Sequence, residues 1–217
     1  MTETFAATAE LVPGVFVRPA TPDDHAALKR VCVETADSGN DATAREDNPE
    51  LVGLIYAVPY QVFEPDLAFV IEENSTVSGY VLGARDTADF EARLHADWYP
   101  DLREWLRDPG PDESAWQGSD WARHMIHHPP VMALEGLAPY PAHGHIDLLP
   151  ALRGRGIGRA AMEHLITALR RKRAPAMHLD VAPDNDNAIG FYRKLGFEVI
   201  DHPSVAPGRL FMGKRLD

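Results

Sequence analysis

The sequence predicts an α/β fold, and two stretches of the chain carry this prediction. Residues 67–72 and 77–84 are rich in β-forming side chains and flank an Asn-Ser-Thr turn, which predicts an antiparallel hairpin. Farther along, the β-rich run 143–149 passes through a glycine-rich turn into the strongly periodic helix 156–173. A hairpin together with a strand-to-helix connection indicates a sheet with helices packed against it.

Composition limits the domain organisation and the kinds of partner. The 217 residues, 45% hydrophobic and 25% charged, suit a single domain spanning 1–217 with an insertion at about 86–130. Lysine and arginine total 21 against 33 aspartate and glutamate, so the net charge is −12, which disfavours nucleic acid and favours cationic partners such as amines. The single cysteine, Cys32, excludes an internal disulfide, and its apolar surroundings predict a buried thiol.

Local signals predict the elements that precede the hairpin. Residues 15–18 form a β-rich run that predicts a strand. Thr21 and Pro22 then suit the N-cap and the first position of a helix, whose apolar residues recur at helical spacing until the pattern stops near Gly39. A second, short helix is predicted at 50–58.

The predicted insertion differs in composition from the rest of the chain, because all four tryptophans lie in it. Its first half is predicted to be an amphipathic helix packed on the main body, since apolar residues recur there at helical intervals: Phe90, Leu94, Trp98, Leu102 and Trp105. The second half is expected to be looped or to form short helices. The clustered aromatic side chains predict either a recognition surface or a second small core.

After the insertion, β-rich runs alternate with helical patterns. The predicted elements are strands at 131–137 and 143–149, a helix at 156–173, a strand at 176–181, a helix at 185–195 that stops at Gly196, and strands at 197–201 and 209–214. The sequence shows neither an internal repeat nor a low-complexity tract.

The turn at 153–159 carries the most specific chemical signal. Gly154, Gly156 and Gly158 let the backbone approach a ligand without Cβ clashes, and the free N–H groups at the start of the next helix face the same ligand. The arginines of the turn add positive charge, so the pattern predicts a pyrophosphate site. It lacks the Lys-Ser/Thr ending of a nucleoside-triphosphate loop, and Arg159 stands where a dinucleotide fingerprint needs its last glycine.

Two motifs in register resemble those of the GNAT superfamily of N-acetyltransferases. Residues 153–158 resemble its Arg-x-x-Gly-x-Gly coenzyme A loop, and residues 179–197 resemble its downstream segment, which ends in Phe-Tyr-x-Lys-Leu-Gly-Phe. The resemblance implies a mixed, mostly antiparallel central sheet flanked by helices, with acetyl-CoA (coenzyme A) as the cofactor. In such a fold the insertion is expected to be helical and to lie between strands three and four. The cofactor-binding residues that it implies are Leu148, Leu149, Arg153, Gly154, Arg155, Gly156, Ile157, Gly158, Arg159, Asn185, Phe191 and Tyr192.

Nearly the whole chain also resembles the acetyltransferase-like C-terminal domains of eukaryotic O-GlcNAcases. The similarity runs through residues 55–60, 67–83, 140–147 and 191–196, and it is weakest in the tryptophan-rich insertion. The loop is a departure, because those eukaryotic domains have lost its arginine and glycine pattern whereas this chain retains it. Cofactor binding is therefore expected for this chain.

The GNAT resemblance also implies catalytic roles. Tyr192 matches the residue that protonates the departing thiolate, and a backbone N–H group at 148–149 would stabilise the oxyanion. An amine acceptor must lose a proton before it attacks, so a base is needed as well. Asp180 and Asp147 are the candidates, and Asp147 shares one face of its strand with His145.

The predicted activity is acetyl transfer from acetyl-CoA to an amine by direct attack in a ternary complex. The acceptor is expected to be a small molecule or a peptide. The alternative is an acetyl-CoA-binding pseudoenzyme or protein-interaction module, in keeping with the resemblance to the O-GlcNAcase domains. Turnover of an amine distinguishes the two.

Other features of the sequence predict no further site. His124, His127 and His128 have spacings that suit a metal, but prolines follow and no matching carboxylate cluster lies nearby, so no metal is expected. The basic run 170–173 suits a helix C-terminus rather than nucleic acid. No apolar run is long enough to span a bilayer and no secretion signal is present, so we expect a cytoplasmic protein without membrane contact.

Overall fold

A computed structural model describes residues 8–205 and 208–217 of the chain. Its strands are β1 (Ala9–Val12), β2 (Val15–Pro19), β3 (Ala68–Glu73), β4 (Thr76–Ala84), β5 (Ala142–Leu148), β6 (Ala176–Val181), β7 (Glu198–Val199) and β8 (Leu210–Arg215). Its α-helices are α1 (His25–Val33), α2 (Glu50–Tyr56), α3 (Val58–Phe63), α4 (Thr87–Arg93), α5 (Tyr99–Arg103), α6 (Asp120–His127), α7 (Ile157–Arg171) and α8 (Asp186–Lys194).

The strands form an eight-stranded sheet in the order β1-β2-β3-β4-β5-β6-β8-β7. Neighbouring strands run antiparallel except for β5 and β6, which are parallel. The parallel pair is joined only at Ala142 with Met177 and at His143 with His178, and beyond these positions the two strands separate. The mixed, mostly antiparallel sheet confirms the predicted fold class, and the separation opens a gap in the middle of the sheet.

Helices cover both faces of the sheet, because alternate residues of a strand point to opposite sides. Along β3, Phe69 and Ile71 belong to the apolar cluster that contains Leu165 of α7. Val70, between them, belongs to the second apolar cluster, which contains Leu28 of α1 and side chains of α2 to α6. None of the helices in the described part of the chain is long and apolar enough to cross a membrane.

The hairpin and the long helix form where the sequence predicts them. β3 and β4 pair from Ala68 opposite Leu82 to Glu73 opposite Thr76. The turn between them places Asn74 at φ 51°, a left-handed conformation that asparagine tolerates better than most residues. The helix predicted at 156–173 is α7, with Gly156 as its N-cap.

Residues 131–137 do not form the predicted strand. Residues 131–134 are irregular, and Glu135–Leu137 is a single 3-10 turn. The backbone N–H groups of Met132 and Ala133 donate to the carboxylate of Glu91, at 3.2 and 2.9 Å. The side chain of Glu91 in α4 therefore accepts the hydrogen bonds that a neighbouring strand would accept if this segment were a strand.

Three further features of the secondary structure differ from the sequence prediction. β1 is an edge strand, paired with β2, that the sequence did not indicate, so the insertion lies between the fourth and fifth strands of the sheet. α1 ends at Val33, well before Gly39, because the chain turns there and Thr35 Oγ1 donates back to the Val31 carbonyl at 2.8 Å. β7 is only the two residues Glu198–Val199.

The insertion packs on the layer that contains α1 and α2. It begins with α4, continues through a π-helical turn (Leu94–Trp98) into α5, and ends with α6. Trp98 Nε1 donates to the Leu54 carbonyl at 2.8 Å, and Trp121 Nε1 donates to Glu46 Oε1 at 2.9 Å. Two of the tryptophans therefore tie the insertion to the body of the protein.

Candidate active site

Two cavities meet at the gap between β5 and β6. The larger, of about 1500 Å³, is lined by the glycine-rich turn and by α8, and we call it the loop cleft. The smaller, of about 560 Å³, is lined by the insertion, β5 and β6, and we call it the side cavity. The residues that line both are Tyr56, His145, Asp180, Val181 and Ala182. Groups bound in the two cavities can therefore meet beside these residues.

The glycine-rich turn forms one end of the loop cleft and has the geometry of an anion site. Gly154 and Gly156 have φ of 73° and 80°, and a Cβ at either position would meet no atom within 4 Å. The backbone N–H groups of residues 155–159 have no acceptor among the described residues. Free N–H groups at the start of a 15-residue helix, with open space before them, suit a pyrophosphate.

Arg153 contacts backbone oxygens within the protein. Its Nε donates to the Leu148 carbonyl at 2.8 Å, and its Nη2 donates to the Gly39 carbonyl at 2.5 Å. The side chain thus joins the end of β5 to the loop after α1 while it lines the cleft. Its visible role is to hold these two walls together.

The other two arginines of the turn are ion-paired. Arg155 Nη2 lies 2.7 Å from Glu73 Oε1, and Arg159 Nε lies 2.9 Å from Glu163 Oε1, one turn along α7. Arg159 lines the loop cleft, whereas Arg155 does not. The positive charge that the sequence assigned to the anion is therefore largely balanced by carboxylates, which leaves the backbone N–H groups as the main donors.

The side chain of Ile157 is buried in the core and Gly158 faces the cleft. A Cβ at Gly158 would lie 3.4 Å from Leu148 and 3.6 Å from Phe191. Ile157 is 0% exposed, so only its backbone N–H is available to a ligand. The third glycine of the turn therefore keeps open the passage between the end of β5 and α8.

The backbone of β5 offers one of the two predicted N–H groups to the gap. The N–H of Leu149 donates to the Ser78 carbonyl at 2.9 Å, so it is already used. Because backbone groups alternate sides along an antiparallel strand, the N–H and carbonyl of Leu148 face away from β4, toward the gap. Arg153 takes that carbonyl, and the Leu148 N–H is left as the donor.

α8 brings three of the predicted residues to the loop cleft. Asn185 is its N-cap, with Oδ1 accepting from the Ala188 N–H at 3.0 Å. Phe191 and Tyr192 line the cleft together with Asn185. Burial raises the pKa of Tyr192 far above its usual range, and the charge of Asp147 adds to the effect, so the hydroxyl keeps its proton.

Asp147 and His145 form a pair on β5 beside the gap. The Asp147 carboxylate accepts a hydrogen bond from the Tyr80 hydroxyl at 2.6 Å, and its Oδ2 lies 3.4 Å from His145 Nδ1. Burial, followed by the charge of Asp147, raises the pKa of Tyr80 well above its usual range, so Tyr80 remains a donor. The ring of His145 also packs against Tyr60, at 5.2 Å between centroids.

Asp180, the other predicted base, is ion-paired. Its Oδ2 lies 2.5 Å from Arg209 Nη2, and the carboxylate is exposed on β6. It lines both cavities, as His145 does. The guanidinium of Arg209 therefore occupies one oxygen of this carboxylate.

The side cavity is mostly aromatic and apolar. Its lining side chains from the insertion include Phe90, Leu94, Tyr99 and Met125, and Met132 follows the insertion. None of the tryptophans lines it, and Trp121 lines the loop cleft instead. The clustered tryptophans on which the predicted recognition surface rests therefore do not line this cavity.

A buried histidine joins the side cavity to the insertion. His143 Nε2 lies 2.9 Å from the Tyr60 hydroxyl, and His143 Nδ1 lies 2.8 Å from Thr87 Oγ1. Burial lowers the pKa of His143 well below its usual range, and the nearby His178 lowers it further. Burial also raises the pKa of the Cys32 thiol to about 12, which agrees with the buried, unreactive cysteine that the sequence predicted.

Sequence reasoning did not select His145 or Tyr56 as site residues. The alternation of His145 with Asp147 was a signal for the first, but its position between two cavities depends on where β5 and β6 separate. Tyr56 gives no local signal, because it reaches the gap from α2.

Comparison with known proteins identifies the family. The model described as the acetyltransferase (GNAT) family matches residues 19–197. The chain belongs to the GNAT family. The crystal structure of SsHAT resembles this GNAT chain with 37% identity and a TM-score of 0.84, over 94% of this chain and 100% of the other. The structure of yncA from Salmonella typhimurium with its cofactor acetyl-CoA shares the fold, with 19% identity and a TM-score of 0.53 over 94% and 95% of the two chains.

The curated relatives match this chain over only part of their own length. Protein O-GlcNAcase of Rattus norvegicus is 23% identical over 201 residues, which are 92% of this chain and 22% of that protein. Peptidyl-lysine N-acetyltransferase YjaB of Salmonella typhimurium is 39% identical over 64 residues, which are 28% of this chain and 41% of that protein. The chain thus corresponds to about a fifth of the first relative, and its match covers less than half of the second.

Family membership confirms the predicted activity and cofactor at a general level. The protein is an N-acetyltransferase, and its cofactor is acetyl-CoA, which GNAT acetyltransferases use. The loop cleft suits this cofactor, because the free N–H groups of 155–159 and the open space at Gly154 and Gly156 match a pyrophosphate. Leu148 and α8 would hold the rest of the molecule along the cleft.

Proposed function

We propose that this enzyme acetylates the primary amine of a small molecule with an aromatic or apolar body, by direct attack in a ternary complex. The supporting observation is the meeting of the loop cleft and the side cavity at His145, beside the gap in the sheet. Acetyl-CoA in the cleft supplies an activated acetyl thioester. The acceptor occupies the side cavity, whose volume of about 560 Å³ suits a small molecule.

The lining of the side cavity supports this class of acceptor. Aromatic and apolar side chains bind a hydrophobic body, whereas the carboxylates are occupied: Asp180 by Arg209, and Glu91 by the N–H groups of Met132 and Ala133. An apolar site destabilises an ammonium ion relative to the neutral amine. It therefore lowers the pKa of the bound amine toward the form that can attack.

His145 is the group that we assign to accept the proton from the amine, directly or through a water. The charge of Asp147 Oδ2, 3.4 Å from His145 Nδ1, favours the tautomer with a proton on Nδ1 and leaves Nε2 as the acceptor. Asp147 then acts as a positioning residue, held in turn by Tyr80. This replaces direct proton removal by Asp147 or Asp180.

Two groups complete the chemistry. The Leu148 N–H is available to stabilise negative charge that develops on the acetyl oxygen. Tyr192, whose hydroxyl keeps its proton, is assigned to donate it to the departing thiolate. No covalent bond to the enzyme is required, because a neutral amine can attack the thioester carbonyl directly. The free thiol of Cys32 borders the loop cleft, but it is buried, and burial raises its pKa to about 12.

The dependence of kcat on pH tests the assignment of the base. His145→Gln is expected to lower kcat by about 100-fold and to remove the rise of kcat with pH. Asp147→Asn should lower kcat by about tenfold, because the carboxylate that orients the imidazole is lost. Asp180→Asn should keep the inflection of the parent. His25→Gln, on α1 and outside both cavities, is the matched control. Loss of the inflection in Asp180→Asn, with its retention in His145→Gln, would assign the base to Asp180.

A panel of acceptors tests the substrate class. Phenethylamine should show kcat/KM at least about tenfold higher than spermidine or a lysine-containing peptide, since only the first fits an apolar cavity. Faster turnover of the peptide or polyamine contradicts the assigned class. Tight acetyl-CoA binding without turnover of any amine would instead favour the non-catalytic alternative.

A further inference from the structure

We propose that Asp108, His124 and His128 form a binding site for a divalent transition metal, with Zn²⁺ the ion that best matches the ligands. One ligand atom from each residue lies within 4.8 Å of the others. None of the three lines the loop cleft or the side cavity. The proposal is therefore independent of the acetyl-transfer mechanism.

α6 and the residue that follows it supply two imidazoles. His124 lies in the last turn of α6 and His128 is the C-cap, whose backbone N–H donates to the His124 carbonyl at 2.7 Å. Their rings are 4.6 Å apart between centroids and tilted by 35°. The spacing of these histidines already suits a metal when the sequence alone is considered, but no carboxylate lies close to them along the chain.

The loop between α5 and α6 supplies the missing carboxylate. Asp108 Oδ2 lies 2.6 Å from His128 Nε2, and Asp108 Oδ1 lies 3.8 Å from His124 Nδ1. The Gly110 N–H donates to Asp108 Oδ1 at 2.9 Å and holds the carboxylate in place. Trp116 packs its ring on His124 at 4.7 Å, and its Nε1 donates to the Gly110 carbonyl. The loop is thus folded around the histidines.

The state of His124 Nδ1 distinguishes this cluster from an ordinary hydrogen-bonded pair. The atom is buried and has no hydrogen-bond partner in the described part of the chain. A buried polar atom without a partner destabilises a fold. An ion between His124 and Asp108 would satisfy this atom.

The distances agree with such an ion. Zinc lies about 2.0–2.2 Å from nitrogen and oxygen ligands, so two ligands of a tetrahedral site are about 3.3 Å apart. The separations of 2.6 Å from His128 Nε2 to Asp108 Oδ2 and 3.8 Å from His124 Nδ1 to Asp108 Oδ1 lie on either side of that value. All three ligand atoms lie within 4.8 Å of one another, so side-chain shifts on the order of 1 Å would bring them to the ion.

The ligand set also selects the class of metal. Two imidazoles and one carboxylate suit Zn²⁺ and its neighbours Co²⁺, Ni²⁺ and Cu²⁺, whereas Mg²⁺ and Ca²⁺ prefer oxygen ligands throughout. Three protein ligands leave room for water. His127 is not a fourth ligand, because its Nε2 lies 2.8 Å from the Leu106 carbonyl.

A bound ion would fasten the loop of residues 104–119 to α6. Met125, on the same helix, lines the side cavity. The metal would therefore stabilise a wall of that cavity without contacting its contents. The expected effect is structural: a higher melting temperature and slower hydrogen exchange in 104–119.

The test is a titration of untagged, EDTA-treated protein with Zn²⁺ against a chromophoric chelator, with Co²⁺ as a spectroscopic probe. The parent should bind one equivalent with a roughly micromolar or lower Kd, and the Co²⁺ form should show visible d–d bands. His124→Gln/His128→Gln and, separately, Asp108→Asn should weaken binding by about 100-fold. His127→Gln, on the same helix and outside the cluster, should bind as the parent does.

The outcomes separate cleanly. Equal binding by the parent and the double variant, both folded by circular dichroism, would place the ion elsewhere and overturn the proposal. Absence of stoichiometric binding by the parent at about 100 μM Zn²⁺ would also overturn it, and would identify the cluster as a plain histidine–aspartate contact. The nearly isosteric Asp108→Asn keeps the test valid if the double variant fails to fold.

Discussion

The loop cleft and the side cavity are built in opposite ways. In the cleft, the ligand-facing groups are backbone N–H groups of 155–159, and the arginine side chains around them are bound to protein oxygens. In the side cavity, the ligand-facing groups are side chains that come from the insertion, from α2 and α3 and from two strands. The first is a local motif, and the second is an assembly of distant segments.

This difference explains how one fold can keep its cofactor while its acceptor changes. Backbone donors at a helix N-terminus depend on glycines and on chain direction, and they are retained as long as the turn is retained. Side-chain walls can change residue by residue without disturbing that turn. The comparison predicts that substitutions in the cleft act on cofactor binding and that substitutions in the side cavity act on the acceptor.

The largest effect is expected from Gly156→Glu. The residue has φ 80° and faces open space at the N-terminus of α7, so glutamate would add strain, bulk and negative charge at the proposed pyrophosphate site. Calorimetry should show a Kd for acetyl-CoA raised by about 1000-fold, equivalent to about 4 kcal/mol. Gly14→Glu is the matched control, because Gly14 has φ 81° and open space but lies in the exposed turn between β1 and β2. Equal loss of binding in both variants would show that strain, not the anion site, is responsible.

Tyr192→Phe removes one hydroxyl from the boundary of the cleft. If that hydroxyl protonates the thiolate, kcat should fall by roughly 100-fold while the Kd for acetyl-CoA changes less than about twofold. Steady-state kinetics with phenethylamine and calorimetry measure the two quantities. A parent-like kcat would remove Tyr192 from the mechanism, and an equal change in Kd would make it a binding residue.

Met125→Trp fills part of the side cavity from α6. The KM for an aromatic amine should rise by about tenfold, since the larger ring occupies acceptor space, and the Kd for acetyl-CoA should not change. Asp101→Trp adds the same side chain to an exposed position of α5 and should leave both values unchanged. A parallel rise in the cofactor Kd for Met125→Trp would mean that the two cavities are not separate in function.

The smallest effect concerns acid stability and the wall of the side cavity. Burial lowers the pKa of His143, so the unfolded chain binds this proton more readily than the folded one. Its contribution to stability is present above about pH 6.5 and is lost as the pH falls below that value, at up to about 1.4 kcal/mol per pH unit. His143→Gln, which can still contact Tyr60 and Thr87, should reduce the slope of the unfolding free energy between pH 6.5 and 5. An unchanged slope would assign the acid sensitivity to His164 and His178, whose pKa values burial also lowers.

Prediction from the sequence succeeded where neighbours along the chain determine the structure. The hairpin, α7 and the glycine turn depend on contacts within a few residues, and all three form as predicted. Residues 131–137 have the β-rich pattern of a strand, but a strand needs a partner, and the carboxylate of Glu91 takes that place. The arginines of the turn are likewise typical of a phosphate site, but they contact Glu73, Glu163 and Gly39 instead.

The sequence by itself determined the glycine turn at the start of α7 and predicted that it binds the cofactor, because three glycines and the start of a helix carry that chemistry within seven residues. Only the tertiary structure decided what surrounds the loop. The separation of β5 from β6 places His145 between two cavities, and the path of the loop before α6 brings Asp108 to two histidines. Such meetings depend on how distant segments pack together, and no local pattern of residues encodes a distance between them.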